Sequence, residues 1–216
     1  MKIGIRYKWT DALADYELEQ RGCRWDVLVI INGKRYNVHI ESMLRILQFF
    51  KYSKDFGWDN GTSANTIIVN NVTKDEIKKT IYELAKTDFF DNLGGKYDKS
   101  LDNLSDNIEI VYQNDTKEIE KKSFELGYRD DVIARINHRN YSLYLITINK
   151  LLQEFYISNC QIGYYLTKPN MIIVEDLTKE NIQKAILASE LSCFFRDSGC
   201  LDDKDDWGIF EYMHKK

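Results

Sequence analysis

Residues 65–90 read NTIIVNNVTKDEIKKTIYELAKTDFF, and residues 170–195 read NMIIVEDLTKENIQKAILASELSCFF. The second stretch follows the first at a separation of 105 residues. The same separation aligns residues in the preceding parts of the two halves: Ile3 with Ile108, Ile5 with Ile110, Gly22 with Gly127, Asp26 with Asp131 and Tyr36 with Tyr141. A separation that holds over so much of the chain predicts a tandem duplication rather than a solenoid. We therefore expect two domains, 1–105 and 106–216.

Each half begins with the pattern of a half-buried strand. MKIGIRYK at residues 1–8 alternates apolar and polar side chains, and NIEIVY at 107–112 does the same. The stretches that follow, 11–22 and 115–127, are polar and charged with only scattered apolar residues. They are expected to be surface connections with at most a helical turn.

A β-hairpin is predicted next in each half. In WDVLVIINGKRYNVHI, residues 25–40, two strand-like runs flank Asn32-Gly33, the dipeptide that best accommodates the two positive φ angles of a type I′ turn. In the second half His138 takes the place of the glycine. That turn is therefore expected to differ in type or to be strained.

Two helix patterns complete each half. Apolar residues recur at spacings of three and four in 42–52 and 147–156, and again after the strands that open the two quoted stretches. Polar residues at the expected ends support these assignments: Ser42 and Thr147 as N-caps, Thr73-x-x-Glu76 as a capping box, Thr178 as a cap, and Gly94 and Gly199 as stop signals.

The pattern therefore predicts an α+β fold. The module has the order β-β-β-α-β-α and occurs twice, with a mainly antiparallel sheet and helices on one face. How the two copies pack, by their sheet edges or by their faces, is left open by the sequence.

Composition favours a soluble cytoplasmic protein. The net charge is -4, with the excess of acidic residues in the second half. The four cysteines show no CxxC spacing and have no cysteine at the corresponding position of the other half, which is typical of free thiols in a reducing compartment. No run of about 18 apolar residues predicts a membrane span, and the N-terminal residues do not resemble a signal peptide.

No familiar catalytic or metal-binding motif occurs in the sequence. GxSxG, GxxxxGK[ST], HExxH and GxGxxG are absent, and His39, His138 and His214 are far apart along the chain. We therefore expect a protein without catalytic residues, metal or cofactor.

Acidic residues and exposed aromatics are the candidate binding residues. DSGCLDDKDDW at 197–207 concentrates carboxylates beside a tryptophan, and two loops carry Gly-Trp-Asp and Gly-Tyr-Tyr. Such residues meet basic partners and act as interface anchors. The predicted partner-binding residues are Trp58, Asp59, Tyr164, Asp202, Asp203, Asp205, Asp206 and Trp207. The alternatives are a solvated acidic loop, a Ca²⁺ site that lacks the EF-hand order, and aromatics that fold back over the sheet.

The hairpins and the quoted stretches resemble the immunity protein 8 family. The resemblance lies in VLVIINGKRYNVHI followed by ESML, in VIARINHRNYSLYL followed by ITIN, and in IIVNNVTKDEIKKTI and IIVEDLTKENIQKAI. It covers nearly the whole chain, once per half. The family consists of small cytoplasmic proteins encoded beside secreted bacterial polymorphic toxins. The resemblance implies a protein that binds a toxin, and it implies no catalytic residues.

The leading hypothesis is a non-enzymatic immunity-type inhibitor. It would occlude the active site of a cognate protein toxin, which could be a basic nuclease. One alternative is a nucleic-acid-associated or phage regulatory module whose aromatics stack on bases, although the acidic second half disfavours it. A further alternative is an enzyme whose site lies between the two repeats.

Overall fold

The computed structural model describes residues 1–53, 63–99, 108–201 and 210–213 of the chain. The strands are β1 (Ile3–Tyr7), β2 (Cys23–Ile31), β3 (Lys34–Ser42), β4 (Thr66–Val69), β5 (Lys96–Tyr97), β6 (Glu109–Tyr112), β7 (Tyr128–Ile136), β8 (Arg139–Thr147), β9 (Met171–Val174) and β10 (Glu211–Met213). The helices are α1 (Ala12–Arg21), α2 (Met43–Ser53), α3 (Lys74–Leu84), α4 (Lys117–Leu126), α5 (Ile148–Ile162), α6 (Lys179–Leu191) and α7 (Phe194–Asp197). The predicted α+β class is confirmed.

Two mainly antiparallel sheets form the framework. The first has the strand order β10-β1-β2-β3-β4, and in the second β5, β8, β7 and β6 follow one another while β9 also pairs with β8. The parallel pairs are β3 with β4 and β8 with β9, each joined through a helix, α2 or α5. Such a helical crossover is what a parallel pair requires. Among these elements no helix is both long and apolar enough to cross a bilayer.

The two segments predicted as surface connections are helices of ten residues each, α1 and α4. The side chains of Asp11 and Thr116 accept hydrogen bonds from the first-turn amides Ala14 N and Ile119 N. At the other ends Gly22 and Gly127 adopt φ angles of 68° and 76°, which suit a glycine C-cap. The module order is therefore β-α-β-β-α-β-α. The prediction missed these helices because Leu18 is the only fully buried apolar side chain of α1.

Both predicted hairpins form. Asn32 and Gly33 have φ angles of 49° and 90°, as the Asn-Gly turn requires. Asn137 and His138 have φ angles of 48° and 62°, so the second turn occupies the same region of backbone space. The second turn therefore has the same pair of positive φ angles as the first, with His138 as a non-glycine residue in the left-handed region.

The helix caps agree with the predictions except at Glu76. Thr73 accepts a hydrogen bond from Glu76 N at 3.3 Å. The Glu76 carboxylate does not complete the capping box at Thr73. It accepts hydrogen bonds from the Asn70 and Asn71 amides at 2.6 and 3.0 Å. The carboxylate therefore accepts hydrogen bonds from the backbone amides of the turn between β4 and α3.

The helices do not share one face of the sheet, which differs from the prediction. On β4, Ile67 and Val69 belong to the core formed with α3, whereas Ile68 faces a core that contains Met43 and Ile46 of α2. Successive residues of a strand point to opposite faces, so α2 and α3 lie on opposite sides of the sheet. The core beside α2 also contains Leu151 and Phe155 of α5, and it joins the two halves.

The C-terminal part of each half crosses to the other half. β5 of the first half pairs with β8. In return, Leu201 bridges to Arg35 on β3, and β10 pairs with β1. The two halves are therefore interlocked, and the packing left open by the sequence combines strand edges with a shared helical core.

Two asparagines at corresponding positions of the halves stabilise this crossing. The Asn65 side chain donates to Asn37 O, Asp197 O and Gly199 O and accepts from Gly199 N at 2.8 Å. Asn170 repeats the arrangement: it donates to Asn92 O, Gly94 O and Ser142 O and accepts from Gly94 N at 2.8 Å. Each asparagine thus holds a loop of the opposite half.

Gly94 and Gly199 are where these two loops meet. Their φ angles are 79° and 95°, and a Cβ placed on Gly94 would lie 2.8 Å from the Cα of Gly199. The helices α3 and α6 end well before them, at Leu84 and Leu191. The glycines are required for close approach of the halves and do not terminate the helices.

Candidate functional site

Seven of the eight predicted partner-binding residues lie outside the described residues: Trp58, Asp59, Asp202, Asp203, Asp205, Asp206 and Trp207. The eighth, Tyr164, is half-buried against α3 of the first half. Its hydroxyl contacts the Glu83 carboxylate at 3.4 Å, and the Lys79 ammonium lies 5.2 Å from its ring centroid. Tyr164 therefore contributes to the contact between the halves.

A group of exposed apolar side chains lies on and beside α1. We call Trp9, Leu13, Tyr16 and Trp25 the aromatic patch. Leu13 and Tyr16 are 67% and 62% exposed and lie one turn apart on the helix. Trp9 and Trp25 are 44% and 40% exposed, and their rings meet edge to face with centroids 6.1 Å apart. Tryptophan and tyrosine held in this partly exposed state are typical of interface anchors.

A fully buried ion pair positions the tryptophans. Arg24 Nε and Nη2 donate to the two carboxylate oxygens of Asp26 at 2.8 and 3.0 Å, and neither side chain is exposed. Asp26 also accepts from Trp9 N at 3.1 Å, while Arg24 Nη2 donates to Trp9 O at 3.0 Å. The ion pair therefore holds the Trp9 backbone from both sides. The pairing of β2 with β3 shifts register between Arg24 and Val27, so Trp25 lies on a β-bulge.

The same arginine fixes α1. Arg24 Nη1 donates to Asp15 of α1 at 2.8 Å, and the Lys74 ammonium forms a second short contact with Asp15. Partial burial acts to raise the pKa of Asp15, but the hydrogen bonds from Lys74 and Arg24 hold it below its usual value. The carboxylate therefore stays charged, and helix α1 is tied to the sheet beneath the patch.

The second half contains the same buried scaffold. Arg129 Nε and Nη2 donate to Asp131 at 2.6 and 3.2 Å, and Asn114 N donates to Asp131 at 3.3 Å. The guanidinium carbons of Arg24 and Arg129 both lie 4.5 Å from a tyrosine ring centroid, that of Tyr7 or Tyr112. The register shift recurs between Arg129 and Val132. The two halves therefore build one local structure twice.

The residues at the four patch positions differ between the two scaffolds, although α4 of the second half exposes apolar side chains elsewhere, at Phe124 and Leu126. At the positions of Trp9, Leu13, Tyr16 and Trp25 the second half has Asn114, Glu118, Lys121 and Asp130. The fold thus accepts four polar residues at these positions, and folding alone does not account for the aromatic patch. The patch leaves no motif in the sequence: its only signal is that four positions differ in polarity between two halves that otherwise match.

A cavity of about 350 Å³ lies between the halves, and we call it the inter-half cavity. It is lined by Cys23, Arg24, Trp25, His39, Ile40, Glu41, Arg45, Phe49, Ser63 and Ala64 of the first half and by Ser192, Cys193, Phe194 and Asp197 of the second. Its volume lies in the range of small-molecule sites.

Two ionisable groups in this cavity are perturbed by burial. Burial raises the pKa of Glu41 to about 7, although Arg45 acts in the opposite direction. Burial also lowers the pKa of His39, despite the opposing charge of Asp197, so the imidazole is neutral at pH 7. Perturbed groups of this kind concentrate at functional sites.

The cavity contains the residue types of a cysteine–histidine–acid centre but lacks its contacts. A nucleophile is activated by a base within hydrogen-bond reach. Among the described residues, no hydrogen bond joins Cys193 to His39 or His39 to a carboxylate. In the same part of the chain, no group of three or more His, Cys, Asp or Glu side chains is placed to hold a metal ion.

Comparison of the chain with protein-family models, with curated proteins and with solved structures finds no match.

Proposed function

We propose that this chain is a non-enzymatic binding protein whose aromatic patch docks onto a protein partner. The observation that carries the proposal is the difference between two matched surfaces: one scaffold displays Trp9, Leu13, Tyr16 and Trp25, and its counterpart displays four polar residues. Exposed large aromatics cost solubility and are retained at contact surfaces.

The patch is built for tight binding. The buried Arg24–Asp26 pair and the Asp15 contact hold the backbone of Trp9 and helix α1 before a partner arrives. A preorganised surface loses little conformational entropy on binding, so more of the contact energy contributes to affinity.

The partner that fits is a basic protein. Asp11, Glu17 and Glu19 are exposed on or beside α1, against the basic residues Lys8 and Arg21. A net acidic rim around an apolar centre speeds association with a basic surface. Together with the immunity protein 8 resemblance of the two repeats, this favours an immunity-type inhibitor that occludes a cognate bacterial toxin, for which a basic nuclease is the proposed class.

The test is co-expression of the chain with the product of the neighbouring toxin gene. We expect a stable complex and survival of the host cells. The double variant Trp9→Asn/Trp25→Asp, which installs the residues of the second scaffold, should fold normally and weaken binding at least about a hundredfold, because truncating a hot-spot aromatic costs about 2 kcal/mol or more.

Leu191→Asn is the matched control. Leu191 is 87% exposed on α6, so it is apolar and accessible but outside the patch. The control variant should bind like the wild type. Equal affinity of the wild type and the double variant, or no complex and no protection of the cells, would refute the proposal.

A further inference from the structure

The polar floor of the inter-half cavity is an individual property of the first half. In β2 and β3 this floor is formed by Cys23, His39 and Glu41, with Cys23 directly opposite Glu41 in the strand register. Thr66 of β4 pairs with His39. The sheet face beneath α2 is therefore unusually polar for a surface that lies under a helix.

The corresponding face of the second half is apolar. Tyr128, Tyr144, Ile146 and Met171 occupy the positions of Cys23, His39, Glu41 and Thr66. The Tyr128 and Tyr144 rings stack with centroids 5.5 Å apart and planes inclined by 25°. Ile146 is completely buried. Since the same backbone packs well around apolar residues, the polar floor of the first half is not a requirement of the fold.

A cavity of about 310 Å³ also lies beside this second face, but it has a different lining. It includes Asn92, Asp130 and Tyr144, the counterparts of Asp197, Trp25 and His39. Ile146 and Lys150, the counterparts of Glu41 and Arg45, do not line it. Of these two cavities, the one beside the first half therefore has an acid and an arginine, Glu41 and Arg45, on its wall.

Glu41 and Arg45 carry opposite charges, and the charge of Arg45 acts on the Glu41 carboxyl. No salt bridge joins either of them to another residue within the described ranges, although Glu41 at the end of β3 and Arg45 in the first turn of α2 both line the cavity. In the second half the counterpart of Arg45, Lys150, is paired with Glu154 at 3.7 Å. Burial disfavours the charged form of Glu41 more than Arg45 favours it, and a ligand that supplies a cation would relieve that cost.

The rest of the cavity suits a flat apolar body. Trp25 and Phe49 contribute aromatic surface to the lining, and Phe194 contributes buried apolar surface. Asp197 adds a second carboxylate at an exposed position. The lining therefore combines one arginine, two carboxylates and aromatic walls.

We propose that the inter-half cavity binds a small zwitterion of the aromatic amino-acid class. In this assignment the Glu41 carboxylate receives the ammonium group, the Arg45 guanidinium receives the carboxylate, and the aromatic body lies beside Trp25 and Phe49. The site is separate from the aromatic patch, except that Trp25 contributes to both, so the variants below leave Trp25 unchanged.

The test uses three probes that differ only in their charged groups. L-phenylalanine carries both charges, phenethylamine carries the ammonium alone, and 3-phenylpropionate carries the carboxylate alone. Binding is measured by titration calorimetry and by chemical-shift changes of the cavity residues. We expect L-phenylalanine to bind most tightly.

The variants separate the two charge contacts. Glu41→Gln should weaken L-phenylalanine and phenethylamine about tenfold or more and leave 3-phenylpropionate unchanged. Arg45→Gln should weaken L-phenylalanine and 3-phenylpropionate by a similar factor and leave phenethylamine unchanged. Lys150→Gln, which alters the counterpart of Arg45, should have no effect on any probe.

Three results would overturn this assignment. The first is the absence of L-phenylalanine binding at millimolar concentration. The second is phenethylamine or 3-phenylpropionate binding more tightly than L-phenylalanine, which would indicate a simple cation or anion site. The third is a Lys150→Gln effect as large as that of Arg45→Gln, which would place the binding outside the cavity.

Discussion

Replacing Asn65 by alanine should weaken the contact between the two halves. Asn65 is 3% exposed, and its side chain makes four hydrogen bonds, three of them to the 197–199 loop of the second half and one to Asn37 O of its own half. It also has a φ angle of 53°, a region that alanine disfavours. The substitution therefore removes a set of buried hydrogen bonds and introduces backbone strain at the same position.

The size of the effect follows from these two contributions. Leaving buried backbone partners of Asn65 unsatisfied costs about 1–3 kcal/mol, and placing alanine in the left-handed region costs about 1 kcal/mol more. We expect the free energy of unfolding to fall by about 3 kcal/mol. Asn65→Gly loses the same hydrogen bonds but introduces no backbone strain. It should therefore be less destabilising than Asn65→Ala by about 1 kcal/mol.

Urea unfolding followed by circular dichroism measures these differences, with Asn170→Ala as the matched substitution in the second half. Amide hydrogen exchange adds a local measurement, because the Leu201 amide donates to Arg35 O at 2.8 Å just beyond the loop that Asn65 holds. That amide should exchange faster in Asn65→Ala than in Asn170→Ala variants. A loss of stability below about 1 kcal/mol, or equal exchange in the two variants, would refute the reasoning.

Three further predictions concern the close glycine contact, the buried ion pair and Glu41. Gly94→Ala should destabilise the protein by more than Gly33→Ala, and urea midpoints measure the difference. Both glycines have positive φ, but a Cβ added at Gly94 would lie 2.8 Å from Gly199, whereas a Cβ added at Gly33 would meet nothing within 4 Å. Arg24→Met should lower the free energy of unfolding by about 3–5 kcal/mol because it leaves the buried Asp26 carboxylate unpaired, and equal urea curves would contradict this. Glu41→Gln should be more stable than the wild type at high pH. The pKa of Glu41 in the folded state, about 7, lies above its value in the unfolded state, so the wild type loses stability as the pH rises towards 7. Urea unfolding from pH 4 to 8 measures the difference in stability between Glu41→Gln and the wild type, which should grow to at most about 3 kcal/mol and then level off. A difference that is independent of pH would contradict the assigned pKa.

Local patterns were sufficient for much of the secondary structure. The alternating strands, the Asn32-Gly33 hairpin and the caps at Ser42, Thr73 and Thr147 were all readable because each depends on neighbours within a few residues. Helices α2, α3, α5 and α6 bury an apolar stripe and could be recognised from its spacing. Helix α1 could not, since its outward side chains include Leu13 and Tyr16 and an ion pair with Arg24 ties it to the sheet.

The candidate site was hidden for a related reason. Trp9 and Trp25 are separated in the chain by all of α1, and they meet only because β1 and β2 pair and the buried Arg24–Asp26 pair fixes the intervening backbone. The inter-half cavity likewise requires α7 of one half to pack beside β3 of the other. Neither neighbourhood leaves a periodic signal in the sequence.

The sequence by itself determined the α+β class and the positions of most helices and strands, because hydrogen bonding and side-chain periodicity along the backbone are local. The tertiary structure decided how the two halves interlock, which face each helix covers, and where the aromatic patch and the cavity lie. These depend on contacts such as Asn65 with Gly199, between residues more than a hundred positions apart. Contacts at that separation are set by the packing of the whole molecule.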